Sequence, residues 1–267
     1  MAGRRAKANH AVQRATVRKM TETVPLTHDV NGSGPLLVAI HGMTENRHFW
    51  DSVPLDEHFR VIRVDLRGHG ESPRVGPYDP WTLADDVHEV LNTLRIEEPP
   101  LVMGHSYGGV VVTAYASRFP VRGVVNVDQT LNITPLPAPV AEAVRGDGYR
   151  QFMTAGFTRM YGELDPAVAG ELSERREIRH DVLVDAWAPL LDLSSDELTA
   201  FVADLIPARP TPYLSIHGLP VDDSYARWLD DRIPGAVVEV APVVTHYPHL
   251  ADPSWFVQRL TAFDGTI

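Results

Sequence analysis

The sequence predicts an α/β protein built on a doubly wound, mostly parallel sheet. Three observations predict it. Short runs of Val, Ile and Leu without polar alternation recur along the chain, as strands buried on both faces require. Helical patterns alternate with those runs, which argues for crossover connections. One interval of more than 80 residues, between the runs ending near Val127 and starting near Tyr213, holds helical patterns only. An insertion of that length between sheet strands predicts a helical cap.

The predicted strands are Leu36–Ile40, Val61–Val64, Leu101–Met103, Val124–Val127, Tyr213–Ile216 and Val237–Val240. Thr82 with Asp85 offers an N-cap and an acid three residues on, followed by Val87, Val90, Leu91 and Leu94 at helical spacing. Gly108–Phe119 is a second helix, stopped by Pro120, and others run over Tyr225–Ile233 and Pro253–Phe263. The cap patterns are Ala138–Ala143, Gly148–Tyr161, Pro166–Arg179, Asp181–Leu191 and Ser195–Leu205. The expected organisation is a basic tail over residues 1–19, a sheet core from 20–128 and 211–267, and a cap over 129–210. Such a cap would cover the carboxyl edge of the sheet, where open α/β sheets place ligands.

Composition bounds the function. Of 267 residues, 44% are apolar and 22% charged, an ordinary globular balance that excludes a disordered, collagen-like or coiled-coil chain. No apolar run approaches the roughly 18 residues a membrane span needs, so the expectation is a soluble, cytoplasmic protein with no membrane partner. The absence of cysteine excludes a disulfide framework, a thiolate metal site and a cysteine nucleophile. Residues 1–19 carry six basic residues and no acid, which leaves 18 basic against 35 acidic residues, net −17, in the rest. So acidic a body repels phosphate backbones, and nucleic acid is not an expected partner. The basic tail lacks an apolar core for a secretory signal and reads as a disordered leader ahead of Met20.

Gly104-His105-Ser106-Tyr107-Gly108 directly follows a predicted strand and opens a helix. This is the G-x-S-x-G elbow in its strand–turn–helix setting, with Ser106 as nucleophile. A serine hydroxyl needs a base to take its proton. Val244-Thr245-His246-Tyr247-Pro248-His249 lies between the last strand and the last helix, and His246, first in the loop, is preferred over His249, which reads as packing or capping. His41-Gly42-Met43-Thr44 follows the first predicted strand, the position that supplies one backbone N–H for a developing oxyanion. Met43 N–H and Tyr107 N–H are the candidate oxyanion pair. Trp50, Tyr107, Phe152, Phe157, Tyr161 and Trp187 are candidates for an apolar cleft or for core. Twelve histidines form no H-E-x-x-H pattern, so no metal is expected, and Gly32-Ser33-Gly34 is too short for a phosphate loop.

Leu36–Gly42, Asp65-Leu66-Arg67-Gly68-His69-Gly70-Glu71-Ser72, Gly104–Gly109 and His246–Pro253, in this order, resemble the α/β-hydrolase superfamily. The resemblance is greatest to its small serine esterases and cofactor-free haloperoxidase-like members. It covers residues 30–128 and 208–264 and hardly touches the cap. It implies the α/β-hydrolase fold with a helical cap inserted after the sixth strand, no cofactor, and a structural role for Asp65–Ser72. A serine at the elbow argues against haloalkane dehalogenase and epoxide hydrolase activity, which use Asp there. For the acid, the usual position in the family, three residues after Gly218, holds Val221. Asp222 follows it and is preferred; Asp128, from the end of the earlier strand, is the alternative, and Asp223 comes third. Helix capping competes for Asp222, since Ser224-Tyr225-Ala226 opens a helix.

The expected activity is serine hydrolysis of small to medium apolar carboxylic esters through an acyl-enzyme. The expected partner is a small-molecule ester, with a homo-oligomer left open. Perhydrolysis, carbon–carbon bond hydrolysis or hydroxynitrile lysis on the same residues are the alternatives, beside a receptor of this fold that barely turns over.

Overall fold

Residues 22–267 are described by the computed structural model, so the basic tail over residues 1–19 lies outside the described residues. The strands are β1 (His28–Asn31), β2 (Leu36–Ile40), β3 (Arg60–Val64), β4 (Leu101–His105), β5 (Gly123–Val127), β6 (Tyr213–His217) and β7 (Val237–Val240). The helices are α1 (Pro80–Thr93), α2 (Tyr107–Arg118), α3 (Ala138–Arg145), α4 (Tyr149–Met160), α5 (Pro166–Arg175) and α6 (His180–Ala186). They continue with α7 (Ala188–Asp192), α8 (Ser195–Leu205), α9 (Asp223–Asp230), α10 (Pro248–Ala251) and α11 (Pro253–Asp264).

Side chains alternate across a strand, and in β2 both sets are buried. Leu36, Val38 and Ile40 pack on one face with Val102 and Val124, under Leu83 and Val87 of α1 and Val111 and Tyr115 of α2. Leu37 and Ala39 pack on the other face with Met103, Val125 and Ile216, under Phe256, Val257 and Leu260 of α11. Two covered faces explain the continuous apolar runs in the sequence. The sheet order is β1-β3-β2-β4-β5-β6-β7, parallel except for β1, which pairs antiparallel with β3.

The sheet is thus mostly parallel and flanked by helices, with a helical cap, α3 to α8, between β5 and β6. The cap follows the fifth strand in chain order rather than a sixth, because a single strand, β1, precedes β2 among the described residues. β1 itself was not expected: it is four residues long, half-exposed and reads HDVN, with no apolar run to signal it. Helix α1 starts ahead of Thr82, at Pro80, because Asp79 caps it by accepting from Trp81 N–H and Thr82 N–H and Pro80 is preorganised for the first turn. The pattern expected over Pro166–Arg179 stops at Arg175, where Arg176 turns to extended backbone. That over Asp181–Leu191 splits at Trp187, where Pro189 has no N–H to continue the ladder. Among the described residues, no helix is long and apolar enough to cross a membrane.

Candidate active site

Parallel strands deliver their carboxyl ends to one edge of the sheet. Strand β2 runs into His41–Glu45, β4 into Ser106, β5 into Asp128 and β6 into Gly218. Neighbouring strands therefore bring together groups far apart in sequence.

Ser106 stands at φ 51°, ψ −122°, a conformation that L side chains rarely adopt. Such a residue costs on the order of 1–3 kcal/mol and persists only where its surroundings hold it. Ser106 N–H donates to Val127 O at 2.8 Å, and Gly109 N–H donates to Ser106 O at 2.7 Å. The flanking glycines are required by close approach. A Cβ on Gly104 would meet Gly108 O at 2.1 Å, and one on Gly108 would meet His41 O at 2.7 Å.

His246 follows β7 in a loop pinned at both backbone groups. Its N–H donates to Met160 O, at the end of α4, at 2.8 Å, and its C=O accepts from His105 Nε2 at 2.8 Å. Its ring Nδ1–H donates to Asp128 Oδ2 at 2.5 Å. Asp128 Oδ1 accepts from the N–H groups of Gly218 at 2.7 Å and Leu219 at 3.0 Å. Asp128 itself sits at φ 55°, in the left-handed region that Asp tolerates better than most residues. Burial alone lowers the His246 pKa, the Asp128 carboxylate pulls it back up, and the net position is below the ordinary 6.5. The imidazole is therefore neutral at pH 7.

Asp222, preferred from the sequence, is corrected by this geometry. It is exposed and caps α9, its Oδ1 accepting from Ser224 N–H at 2.8 Å and Tyr225 N–H at 3.2 Å. Asp223 is also exposed, as the first residue of that helix. The alternative, Asp128, is the carboxylate that meets His246. Its partner strand explains why: β5 lies beside β6, so the end of β5 opens directly under the loop that starts at Gly218.

Ser106, Asp128 and His246 line one cavity of about 480 Å³, together with Met43 and Tyr107. Tyr107 is the first residue of α2, where an N–H has no intrahelical acceptor. Tyr107, Phe152, Phe157 and Trp187 face the cavity, whereas Trp50 and Tyr161 are core. Among the described residues that line it there is no Lys or Arg. His249 packs its ring 4.7 Å from that of Trp50, in α10. The Asp65–Ser72 loop is knitted to the scaffold: Asp65 accepts from Arg47 N–H at 2.7 Å, and Arg67 Nε meets Asp86 Oδ2 at 2.5 Å in the interior.

Four residues near the site had no signal in the sequence. His217 at the end of β6 faces the cavity, its Nε2 2.7 Å from Ser215 Oγ and its Nδ1 3.8 Å from Asp128 Oδ1. Glu45, His105 and Arg176 form a buried polar cluster behind Ser106 and His246. Among the described residues no group of three or more His, Asp or Glu is arranged to hold a metal ion.

Comparison with known proteins gives three kinds of match. A family model described as "Alpha/beta hydrolase family" matches residues 37–259. The chain is similar to 2-(acetamidomethylene)succinate hydrolase of Mesorhizobium japonicum, 29% identical over 87% of this chain and 88% of that protein. It is also similar to the pimeloyl-[acyl-carrier protein] methyl ester esterase of Pectobacterium atrosepticum, 28% identical over 85% of this chain and 93% of that one. In fold it resembles a thermophilic esterase from Thermogutta terrifontis, with a TM-score of 0.73 and 23% identity over 90% of this chain and 93% of the other.

Proposed function

The chain belongs to the alpha/beta hydrolase family, and from that premise we propose that it is a serine hydrolase of neutral, largely apolar carboxylic esters of small to medium size. Ser106 Oγ attacks the ester carbonyl while His246 Nε2 accepts its proton. Asp128 keeps the other ring nitrogen protonated and stabilises the imidazolium as it forms. The N–H of Met43, in the turn after β2, and that of Tyr107, at the positive end of α2, hold the tetrahedral oxyanion. His246 then protonates the departing alcohol, leaving the acyl group on Ser106. Water repeats the sequence and releases the acid.

The observation that carries this reading is the 2.5 Å bond from His246 to Asp128 on the wall of the cavity that Ser106 lines. The methyl ester named for the Pectobacterium relative supports ester chemistry. The substrate named for the Mesorhizobium relative, a succinate derivative, carries two carboxylates. A cavity lined by Met43, Phe152, Phe157, Trp187 and Leu190 without a cation does not suit such a dianion. The test is a series of p-nitrophenyl esters, from acetate to decanoate, assayed beside Ser106→Ala. Wild-type turnover that is lost in Ser106→Ala supports the reading; turnover that survives in Ser106→Ala overturns it.

A further inference from the structure

The turn after β2 is held in an unfavourable conformation by a residue of the cap. Thr44 lies at φ 69°, a genuine outlier for a β-branched side chain. The turn contains Met43 and closes with Glu45 N–H donating to Gly42 O at 3.3 Å, a long bond. Something else must keep it in place.

Arg176, in the extended segment after α5, supplies the restraint. Its Nη1 donates to Thr44 Oγ1 at 2.8 Å and its Nη2 lies 3.5 Å from Glu45 Oε1. The same guanidinium bonds the Tyr247 hydroxyl, next to His246, and lies 3.9 Å from the ring centroid of Phe157, a cavity residue. The next residue adds a backbone bond, Glu177 N–H to Thr44 O at 3.1 Å. The Arg176 side chain is 4% exposed and that of Glu45 2%, so neither charge is compensated by solvent.

Glu45 passes the restraint on. Its Oε2 accepts from Gly42 N–H at 2.7 Å and from His105 Nδ1 at 3.0 Å. His105 Nε2 in turn donates to His246 C=O at 2.8 Å. A carboxylate and a carbonyl are both acceptors, so both His105 ring nitrogens act as donors. Burial would raise the Glu45 carboxyl, but the His105 and Arg176 charges and the Gly42 N–H hold it well below the ordinary carboxylate value. One chain of charge-assisted bonds thus runs from the cap through the Met43 turn to the His246 loop.

We propose that Arg176 is a positioning residue: it clamps the Gly42–Glu45 turn from the cap so that Met43 N–H stays aimed into the cavity, which makes a docked cap a condition for catalysis. The proposal rests on the reading of Met43 N–H as an oxyanion donor. A displacement of the donor by about 1 Å is worth on the order of 100-fold in rate. Substrate binding, which depends on the apolar wall, is left nearly intact.

The experiment compares Arg176→Lys and Arg176→Ala with wild type and Ser106→Ala. It measures ester kinetics and hydrogen exchange of the peptide covering residues 41–46. Arg176→Lys keeps the charge but cannot span Thr44, Glu45 and Tyr247 together. It is expected to lower kcat by about 10- to 100-fold with KM changed by less than about threefold, and to speed exchange of that peptide. In Arg176→Ala, guanidinium chloride at low millimolar concentration restores part of kcat, and potassium chloride at equal ionic strength does not. Wild-type kcat in Arg176→Lys, or a loss expressed in KM alone, overturns the proposal whatever the exchange shows. If Arg176→Ala fails to fold, Arg176→Lys alone decides. If Ser106→Ala keeps its activity, the esterase reading has failed separately, and unchanged exchange of the 41–46 peptide in Arg176→Lys is then the result that overturns the clamp.

Discussion

Replacing Asp128 by Asn probes the acid with little change of shape. In the structure, Asp128 Oδ1 accepts from Gly218 and Leu219 N–H, and an amide oxygen can keep both bonds. The amide nitrogen would then face His246 Nδ1, where the carboxylate oxygen stood at 2.5 Å. That nitrogen donates, so Nδ1 must become the acceptor and the ring proton moves to Nε2, the atom proposed to receive the Ser106 proton. The imidazolium formed during reaction also loses its counter-charge. At about 4 Å and an effective dielectric of 20 that attraction is worth about 4 kcal/mol, or about three decades in rate. With the tautomer reversed as well, the expected loss in kcat is on the order of 10⁴-fold. Asp222→Ala removes only a helix cap, so it lowers the melting temperature slightly without changing kcat. Stopped-flow or steady-state ester kinetics and a thermal melt of each variant separate the two. An active Asp128→Asn with an inactive, folded Asp222→Ala would refute the assignment.

Acid should weaken both stability and turnover. Burial lowers the pKa of His69 to about 3 and moves His41, His217 and His249 in the same direction. The unfolded chain therefore binds more protons below about pH 6.5, so stability is full above that value and falls as pH drops toward the folded pKa values. His69 alone accounts for about 2 kcal/mol by pH 5, readable as a falling melting temperature between pH 7 and 5; a flat profile contradicts its burial as a neutral ring. The kcat/KM profile should show an acid limb with an apparent pKa below 6.5, set by His246; a limb well above that value contradicts a neutral base there. Gly104→Ala puts a methyl 2.1 Å from Gly108 O, and since the obstacle is backbone it should destabilise by about 3 kcal/mol or more, visible in a denaturant melt. Trp187→Ala opens the apolar wall of the cavity and should shift ester preference toward longer acyl chains in the p-nitrophenyl series; an unchanged preference places the acyl chain elsewhere.

Residues whose role is local were legible in the sequence. The elbow was readable because Gly104, Ser106 and Gly108 answer a steric demand within five residues. The central strands were readable because a sheet covered on both faces leaves few polar positions in β2, β4 and β5 to confuse the pattern, only Asn126 and, at the end of β4, His105. Strand β1 had no such signal, since an edge strand with one mixed face needs no apolar run. The carboxylate that meets His246 was not legible because Asp128 and Asp222 both follow sheet strands closely, and their local sequences do not say which faces His246. That depends on β5 lying beside β6 and on which loop stays at the surface. Arg176 and Thr44 are 132 positions apart, and a contact of that kind leaves no periodicity to read. The cap bonds to the Met43 turn and to His246 were for that reason invisible before the fold was known.

An acyl group on Ser106 is the intermediate on which the proposed reaction turns. The direct measurement is rapid acid quench of wild-type protein turning over a p-nitrophenyl ester, followed by peptide mapping by mass spectrometry. An acyl mass is expected on the peptide containing Ser106, formed with a burst of p-nitrophenol and absent from Ser106→Ala. Ester hydrolysis that proceeds with no adduct on that peptide, or with an adduct on another side chain, would contradict it.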